Sequence, residues 1–253
     1  MQPDLGDQII LLTGGGRGLG RSAALHLAAC GATLGITDID GESCEATVRE
    51  IRRSGGRAFG WMGDMADRDR VLEIAAALAA ECGRIDVVIN NAMLLRYEPI
   101  DEIRDEVLER MLGIGIKAPI WGAQALLKHR DPERPAAIIN MASPVVYRGF
   151  PRTAAYSAVK GAVVSLTKVM AAELGPLGIR VNAVSPGSVP TPGAMGMVSR
   201  EEYERRARNI PLRRIGSEED NAHAIAFLLS PEAAFIHGEV LNVDGGIAAC
   251  GDS

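Results

Sequence analysis

Short apolar runs and amphipathic stretches alternate along the whole chain. The apolar runs have the length of buried strands and lie at Gln8–Leu12, Thr33–Thr37, Ala58–Met62, Val87–Asn90, Ala136–Met141, Val181–Val184 and Val240–Val243. Most are separated by stretches with apolar residues at helical intervals, at Arg21–Cys30, Gly41–Ser54, Asp67–Glu81, Glu102–Lys128, Ala154–Leu174 and Glu218–Leu229. This alternation predicts an α/β fold: a doubly wound, mainly seven-stranded parallel sheet with helices on both faces.

The length and composition are those of one α/β domain over residues 1–253. No repeat or linker divides the chain, and 47% hydrophobic residues are ample for a core. The net charge of −5 argues against general binding of nucleic acid. Residues 1–10 show neither a basic segment nor a long apolar run, so no secretory signal is expected. No stretch approaches about 18 uninterrupted apolar residues, so no membrane span is expected.

The cysteines and histidines predict no metal site. Four cysteines are widely scattered without a CxxC motif, and the four histidines are isolated from one another. Reduced thiols are therefore expected, which favours a cytoplasmic location.

Unusual polar residues and glycines follow the predicted strands. Ligands of doubly wound sheets bind beyond the carboxyl ends of the strands. The residues that close a run in this way are Asp38, Asp64-Met65, Asn90-Asn91, Ser143 and Pro186-Gly187.

A glycine-rich turn, TGGGRGLG at residues 13–20, joins the first predicted strand to a helix. Such a turn lets backbone N–H groups and a helix N-terminus receive a pyrophosphate, and glycine permits the close approach. Asp38 ends the second strand eighteen residues after Gly20, close to the ~20 expected for a carboxylate that holds an adenosine ribose. The alternative is that Asp38 is only a turn residue before Asp40-Gly41.

Tyr156 and Lys160 lie four residues apart on the predicted helix Ala154–Leu174, and Ser143 precedes Tyr156 by thirteen residues. Residues i and i+4 share a helix face, so the lysine ammonium is expected beside the phenol. A cation within ~4–6 Å favours the phenolate by roughly 1–3 pKa units. A tyrosine so tuned can exchange a proton with an alcohol oxygen. The alternative for the pair is an ordinary surface contact.

Together with NNA at 90–92 and SPGSVPT at 185–191, these motifs resemble the short-chain dehydrogenase/reductase family over about residues 5–248. The resemblance implies a Rossmann-type fold, a homotetramer (or dimer), NAD as cofactor and a small alcohol or ketone substrate. The implied catalytic residues are Ser143, Tyr156 and Lys160. The implied cofactor contacts are Gly14, Arg17, Gly18, Leu19, Gly20, Asp38, Asp64, Met65, Asn91, Tyr156, Lys160, Val189 and Thr191.

Two positions depart from the family pattern. Met93 replaces a glycine; either it narrows the region beneath the nicotinamide, or the turn tolerates it without consequence. Aligned on Ile114–Gln124, Gly115 replaces an asparagine whose carbonyl holds a water that links the lysine to solvent. Pro119 has no N–H to donate to the Gly115 carbonyl, so a water is expected in the place of the missing amide, preserving the Lys160 relay. The alternative is that Gly115 and Pro119 only kink a buried helix.

The segment at about 188–215 is expected to cover the substrate. Gly193 and Gly196 supply flexibility, and Met195, Met197 and Val198 supply apolar contacts. The region also predicts a short helix, Glu201–Arg208. Its arginines are either a solvated face or a site for an anionic substrate; they are Arg205, Arg206, Arg208, Arg213 and Arg214.

The expected activity is an NAD-dependent oxidoreductase that interconverts a secondary alcohol and a ketone. An NADPH-linked 3-ketoacyl reductase is an alternative. Asp38 opposes it, because its carboxylate would meet the 2′-phosphate of NADPH with like charge. Only Arg17 is expected to offset this repulsion. A second alternative is a catalytically weak dinucleotide-sensing or scaffold protein. The complete set of Ser143, Tyr156 and Lys160 disfavours it, whereas Gly115 keeps it open.

Overall fold

The computed structural model describes residues 3–195 and 198–250, and their strands form one parallel sheet. The strands are β1 (Ile9–Thr13), β2 (Thr33–Asp38), β3 (Ala58–Met62), β4 (Val87–Asn90), β5 (Ala136–Met141), β6 (Ile179–Pro186) and β7 (Val240–Val243). Their order is β3-β2-β1-β4-β5-β6-β7. The connections change direction between β1 and β4, so a crevice opens beyond the carboxyl ends of these two strands. The predicted doubly wound, seven-stranded fold is confirmed.

Helices cover both faces of the sheet. They are α1 (Gly18–Ala29), α2 (Gly41–Arg53), α3 (Arg68–Cys82), α4 (Asp105–Leu112), α5 (Ala118–His129), α6 (Ala154–Leu174), α7 (Pro192–Met195), α8 (Arg200–Asn209), α9 (Glu218–Leu229) and α10 (Ile247–Cys250). Within the described ranges, none of them is long and apolar enough to cross a membrane.

The strand alternation supplies two cores. Ile10 and Leu12 of β1 pack toward α1, α2 and α9, whereas Ile9 and Leu11 pack toward α3, α5 and α6. Successive side chains of a strand point to opposite faces, and both faces are buried here. The strands therefore read as continuous apolar runs in the sequence.

A buried polar chain holds α6 against the centre of the sheet. Asn90 on β4 donates a hydrogen bond to the side chain of Asn140 on β5 at 2.8 Å. Asn140 in turn donates to the Thr167 hydroxyl on α6 at 3.0 Å. All three side chains are buried, so each bond satisfies a group that burial would otherwise leave unpaired. This chain positions the helix that carries Tyr156 and Lys160.

The single helix predicted for Glu102–Lys128 is wrong in detail. Regular helix begins at Asp105 and changes to π-helix over Gly113–Lys117 before α5. In the π segment the Ala118 N–H donates to the Gly113 carbonyl, five residues back. Pro119 follows at once and cannot donate a backbone hydrogen bond, so the regular i to i−4 ladder is interrupted here.

Candidate active site

A cleft of about 460 Å³ opens at the carboxyl ends of the central strands. It brings together most of the predicted cofactor residues, namely Gly14, Arg17, Gly18, Leu19, Gly20, Asp38, Asp64, Met65, Asn91 and Thr191. Tyr156, Lys160 and Val189 do not line this cleft. Ile39, Met93, Leu94, Leu95 and Arg110 line it as well and were not predicted as cofactor contacts.

The glycine turn has the shape that a pyrophosphate requires. Gly14 and Gly18 adopt positive φ values of 69° and 58°, which residues with a Cβ rarely adopt. A Cβ on Gly20 would lie 2.0 Å from the Gly14 carbonyl oxygen, so only glycine fits there. No side chain caps the N-terminus of α1, and its N–H groups face the cleft where an anion binds well. These residues fit a dinucleotide.

Asn91 fixes the turn to the sheet. Its side-chain nitrogen donates to the carbonyls of Thr13 and Gly14 at 2.9 and 2.8 Å. The Thr13 hydroxyl accepts hydrogen bonds from the Asn91 and Ala92 N–H groups at 3.1 and 3.0 Å. Asn91 therefore fixes the backbone at the base of the cleft, and it also lines the cleft.

Asp38 ends β2 with its carboxylate held in place from two sides. One oxygen accepts the Gly16 N–H at 2.9 Å and the other accepts the Asp40 N–H at 3.0 Å. The side chain is buried at the cleft wall. The Arg17 charge acts on the neighbouring Asp40. Hydrogen bonds from Ser43 lower the pKa of Asp40, and the charge of Arg17 lowers it further. Asp38 thus both shapes the turn and presents a fixed acid to the cleft.

Asp64 is paired with an arginine that the motifs did not reveal. Arg110 on α4 donates to one Asp64 oxygen at 2.8 Å, and the Ala66 N–H donates to the other at 2.9 Å. Partial burial opposes ionisation, but these hydrogen bonds and the Arg110 charge hold the pKa of Asp64 below its usual value. The carboxylate is therefore charged and oriented at the cleft edge.

Ser143, Tyr156 and Lys160 meet at the carboxyl end of β5. The Ser143 side chain lies close enough to the Tyr156 phenol to act on its pKa, and the Lys160 Nζ lies 5.6 Å from the centre of the Tyr156 ring. The Nζ donates to the Met141 carbonyl of β5 at 2.6 Å. Helical spacing on α6 and the end of β5 thus place a hydroxyl, a phenol and an ammonium together.

The expected lowering of the Tyr156 pKa is not found. Burial raises the pKa of Tyr156, the Tyr97 phenol adds to the increase, and the hydrogen bond with Ser143 opposes it. The Lys160 ammonium is drawn toward the Met141 carbonyl, and burial lowers its own pKa to about 8. In this arrangement Tyr156 is a neutral phenol that can donate a proton.

Side chains crowd the position where a side chain at residue 115 would begin. A Cβ on Gly115 would lie 2.2 Å from Val159 Cγ1 and 3.2 Å from Met93 Sδ. The water expected to link Lys160 to solvent at this position stays a prediction. Met93 and Gly115, the two departures from the family pattern, are neighbours in the fold. The Met93 thioether lies beside the position that a Cβ of residue 115 would occupy. Met93 also lines the cleft.

The segment after β6 contributes to the wall of the cleft. Thr191 lines the cleft, Val189 is buried, and the predicted short helix is α8. Val198 is buried. Gly196 and Met197, which were expected to supply flexibility and apolar contact, lie outside the described residues, as does the side chain of Met195.

The arginines of this segment separate into different environments. Arg214 pairs with Asp220 at 2.6 Å, and Arg213 donates to the Arg208 carbonyl. Arg205 and Arg206 both bind Glu202. Only Arg206 also influences the tyrosines near the site, because its charge lowers the pKa of Tyr97 and Tyr203 against the effect of burial.

Tyr97 is the residue nearest the chemistry that sequence reasoning missed. Its ring contacts the Tyr156 ring edge-on, with centroids 5.7 Å apart. It lies in the irregular segment after β4, where no periodicity or spacing indicated its contact with α6. The only signal was its position shortly after the NNA motif.

Comparison with known proteins agrees with this geometry. A family model described as enoyl-(acyl carrier protein) reductase matches residues 14–248. Cyclopentanol dehydrogenase of Comamonas sp. is 34% identical over 244 residues, covering 96% of this chain and 98% of that protein.

Two solved structures extend the comparison. A short-chain dehydrogenase/reductase (glucose/ribitol dehydrogenase) from Brucella melitensis superposes with a TM-score of 0.92 at 31% identity, covering 98% of this chain and 99% of that chain. A 7α-hydroxysteroid dehydrogenase complexed with NADH and 7-oxo glycochenodeoxycholic acid superposes with a TM-score of 0.92 at 26% identity, covering 96% and 94%.

Proposed function

Because the chain belongs to the short-chain dehydrogenase/reductase family, we propose that it is an NAD-dependent oxidoreductase that interconverts a secondary alcohol and a ketone. The observation that carries this proposal is the grouping of Ser143 and Tyr156 beside the buried Lys160. A phenol, a hydroxyl and an ammonium so grouped can exchange a proton with a substrate oxygen and stabilise its developing charge.

Each of the three residues has a distinct role in the proposal. Bound NAD supplies or accepts the hydride. Tyr156 donates its phenolic proton to the ketone oxygen in reduction and recovers it from the alcohol in oxidation. Ser143 donates a hydrogen bond to the same oxygen, where negative charge develops in the transition state. Lys160 binds the nicotinamide ribose and supplies the positive charge that favours the tyrosinate.

The preference for NAD over NADP rests on Asp38. Its carboxylate is fixed by the Gly16 and Asp40 N–H groups, so it cannot turn away from a 2′-phosphate without losing both bonds. Juxtaposed like charges cost several kcal/mol. Arg17 lines the same cleft, and we expect the fixed Asp38 carboxylate to outweigh it. Asp64 and Met65, at the adenine end, complete the proposed cofactor contacts.

The proposed assembly is a homotetramer (or dimer) in the cytoplasm. On α6, Val163 is buried and Val164 and Leu166 are partly buried, so the chain itself covers most of the apolar residues of this helix. Val169 on α6 is 50% exposed, and Leu127 on α5 is 41% exposed. These side chains support a subunit contact. A monomeric mass by light scattering at micromolar concentration would contradict the assembly.

The function is tested with a panel of secondary alcohols and ketones, each assayed with the NAD and the NADP couples by nicotinamide absorbance. The proposal predicts turnover of at least one pair with a higher kcat/KM for the NAD couple. Reduction of a 3-ketoacyl thioester with a preference for NADPH would favour the 3-ketoacyl reductase alternative. Tight NAD binding without turnover of any panel member would favour a dinucleotide-sensing or scaffold protein.

A further inference from the structure

Two arginines of α8 share a single carboxylate. Arg205 donates to Glu202 from Nε and Nη2 at 2.8 and 2.9 Å, and Arg206 donates to it from Nε at 2.9 Å. The hydrogen bond from Arg206, together with the Arg205 contacts, keeps the pKa of Glu202 below its usual value, so the carboxylate is ionised. One negative charge facing two guanidiniums leaves one positive charge uncompensated.

The two arginines differ in where they point. The Arg205 side chain is 65% exposed and that of Arg206 is 38% exposed. Arg206 also donates from Nη1 to the Ser188 hydroxyl at 3.2 Å. Ser188 directly precedes Val189, a residue proposed to anchor the nicotinamide. Arg206 therefore faces the cofactor side of α8, while Arg205 faces solvent.

A tyrosine ties the same helix face to the same loop. The Tyr203 hydroxyl donates to the Val189 carbonyl at 3.5 Å. The Arg206 guanidinium lies over the Tyr203 ring, 6.0 Å from its centre. The ring face is an attractive environment for a cation, and it limits the positions of the guanidinium. Arg206 is thus held by three neighbours: Glu202, Ser188 and Tyr203.

Tyr97 links this guanidinium to the reacting phenol. Its ring contacts Tyr156 at 5.7 Å, and its phenol lies close enough to Arg206 to feel the guanidinium charge. Tyr97 is largely desolvated, so its hydroxyl stays neutral and available as a hydrogen-bond donor. Tyr97 therefore contacts Tyr156 with its ring, while the Arg206 charge acts on its phenol.

We propose that Arg206 is a specificity residue that binds an anionic group of the substrate, a carboxylate in the simplest case, while Tyr156 exchanges the proton with the reacting oxygen. This inference rests on the proposed function. The guanidinium Nη2 has no partner among the residues that the structure describes, and it leaves donors in the planar arrangement that suits a carboxylate. The preferred substrates are keto acids and hydroxy acids with a spacer between the two groups.

The test uses keto acids of increasing spacer length, each paired with its methyl ester, which keeps the ketone and removes the charge. The variant is Arg206→Gln, and the matched control is Arg205→Gln, which breaks a bond to the same Glu202 from the solvent side. Wild type should prefer at least one acid over its ester. Arg206→Gln should reduce kcat/KM for that acid by roughly tenfold to hundredfold, the range for a lost charge-assisted hydrogen bond.

The controls separate recognition from folding and from chemistry. The ester should be reduced equally well by wild type and Arg206→Gln, and Arg205→Gln should keep the preference for the acid. If Arg206→Gln fails to fold, Arg206→Lys replaces it, and it should lose part of the preference because a lysine cannot bind a carboxylate with two parallel hydrogen bonds. Equal kcat/KM for acids and esters in wild type, or equal losses in the two glutamine variants, would overturn the proposal.

A binding measurement distinguishes failure of this proposal from failure of the proposed function. Hexanoate, which has no reacting carbonyl, is titrated calorimetrically into the protein in the presence of NAD. If no ketone is turned over but hexanoate binds wild type and not Arg206→Gln, the anion site stands and the oxidoreductase assignment fails. If esters are turned over but neither the acids nor hexanoate depend on Arg206, the anion site fails and the oxidoreductase assignment stands.

Discussion

Replacing Gly115 by alanine should destabilise this protein, although alanine stabilises a helix by about 1 kcal/mol relative to glycine. The added Cβ would lie 2.2 Å from Val159 Cγ1, whereas carbon atoms in ordinary contact are about 3.5–4.0 Å apart. Val159 is fully buried on α6, and its β-branched side chain has few alternative rotamers in a helix. The helices must therefore move apart.

The expected size follows from these opposing effects. Overpacking of a buried site costs about 1–3 kcal/mol, and so deep an overlap belongs at the upper end of that range. Subtracting the helical preference of alanine leaves a loss of about 2 kcal/mol in the free energy of unfolding. For a chain of this size, that lowers Tm by about 4–8 °C. Because Lys160 follows Val159 directly, kcat should fall as well.

The assay is a double-mutant cycle read by thermal and urea unfolding. Val159→Ala makes room for the new Cβ, so the double variant should be more stable than the two single losses imply, by about 0.5–3 kcal/mol. Gly161→Ala is the matched control: it lies on α6 with no atom within 4 Å of its added Cβ, and should be stabilising. If Gly115→Ala is as stable and active as wild type, or the cycle is additive, the packing argument is wrong.

Three further predictions concern the cofactor, the pH dependence and the stability of the site. Asp38→Asn should lower the NAD/NADP ratio of kcat/KM at least about tenfold, whereas Asp40→Asn should not; equal ratios in wild type and Asp38→Asn would contradict this. Because burial lowers the pKa of Lys160 to about 8, the charge that favours the tyrosinate is present below that pH and lost above it, so kcat for alcohol oxidation should decline as the pH rises through about 8. A flat profile would contradict this. Asn140→Leu leaves Asn90 and Thr167 without their partner and should lower the free energy of unfolding by about 2 kcal/mol or more, measured by urea titration; a change below about 0.5 kcal/mol would contradict it.

Local sequence patterns predicted the parts of this fold that depend on neighbours in the chain. Continuous apolar runs placed all seven strands, because strands buried on both faces need apolar residues at every position. The glycine turn and Asp38 were predictable for the same reason: each conformation is set within a few residues. The π-helical interruption at Gly113–Lys117 was not predicted. Pro119 removes one backbone donor, but the sequence does not show which of the preceding carbonyls accept hydrogen bonds from other donors.

Features that depend on packing between distant segments could not be predicted. The contact of Tyr97 with Tyr156 joins the segment after β4 to α6, and the spacing of the two residues in the sequence does not indicate it. The space beside Gly115 is filled by Val159, forty-four positions later in the sequence. The direction of the Tyr156 pKa was predicted wrongly, because helical spacing indicated a nearby cation but not the desolvation that outweighs it.

The central claim is that Tyr156 carries the proton in an NAD-linked reaction, and the Tyr156→Phe variant tests it most directly. With the best alcohol from the substrate panel, kcat should fall by about 100-fold or more, the scale of a lost general acid–base. The dissociation constant for NAD, measured by calorimetry, should stay close to the wild-type value, because the cleft proposed to hold the dinucleotide is lined by other residues. A variant that retains more than about a tenth of the wild-type kcat would show that another group exchanges the proton.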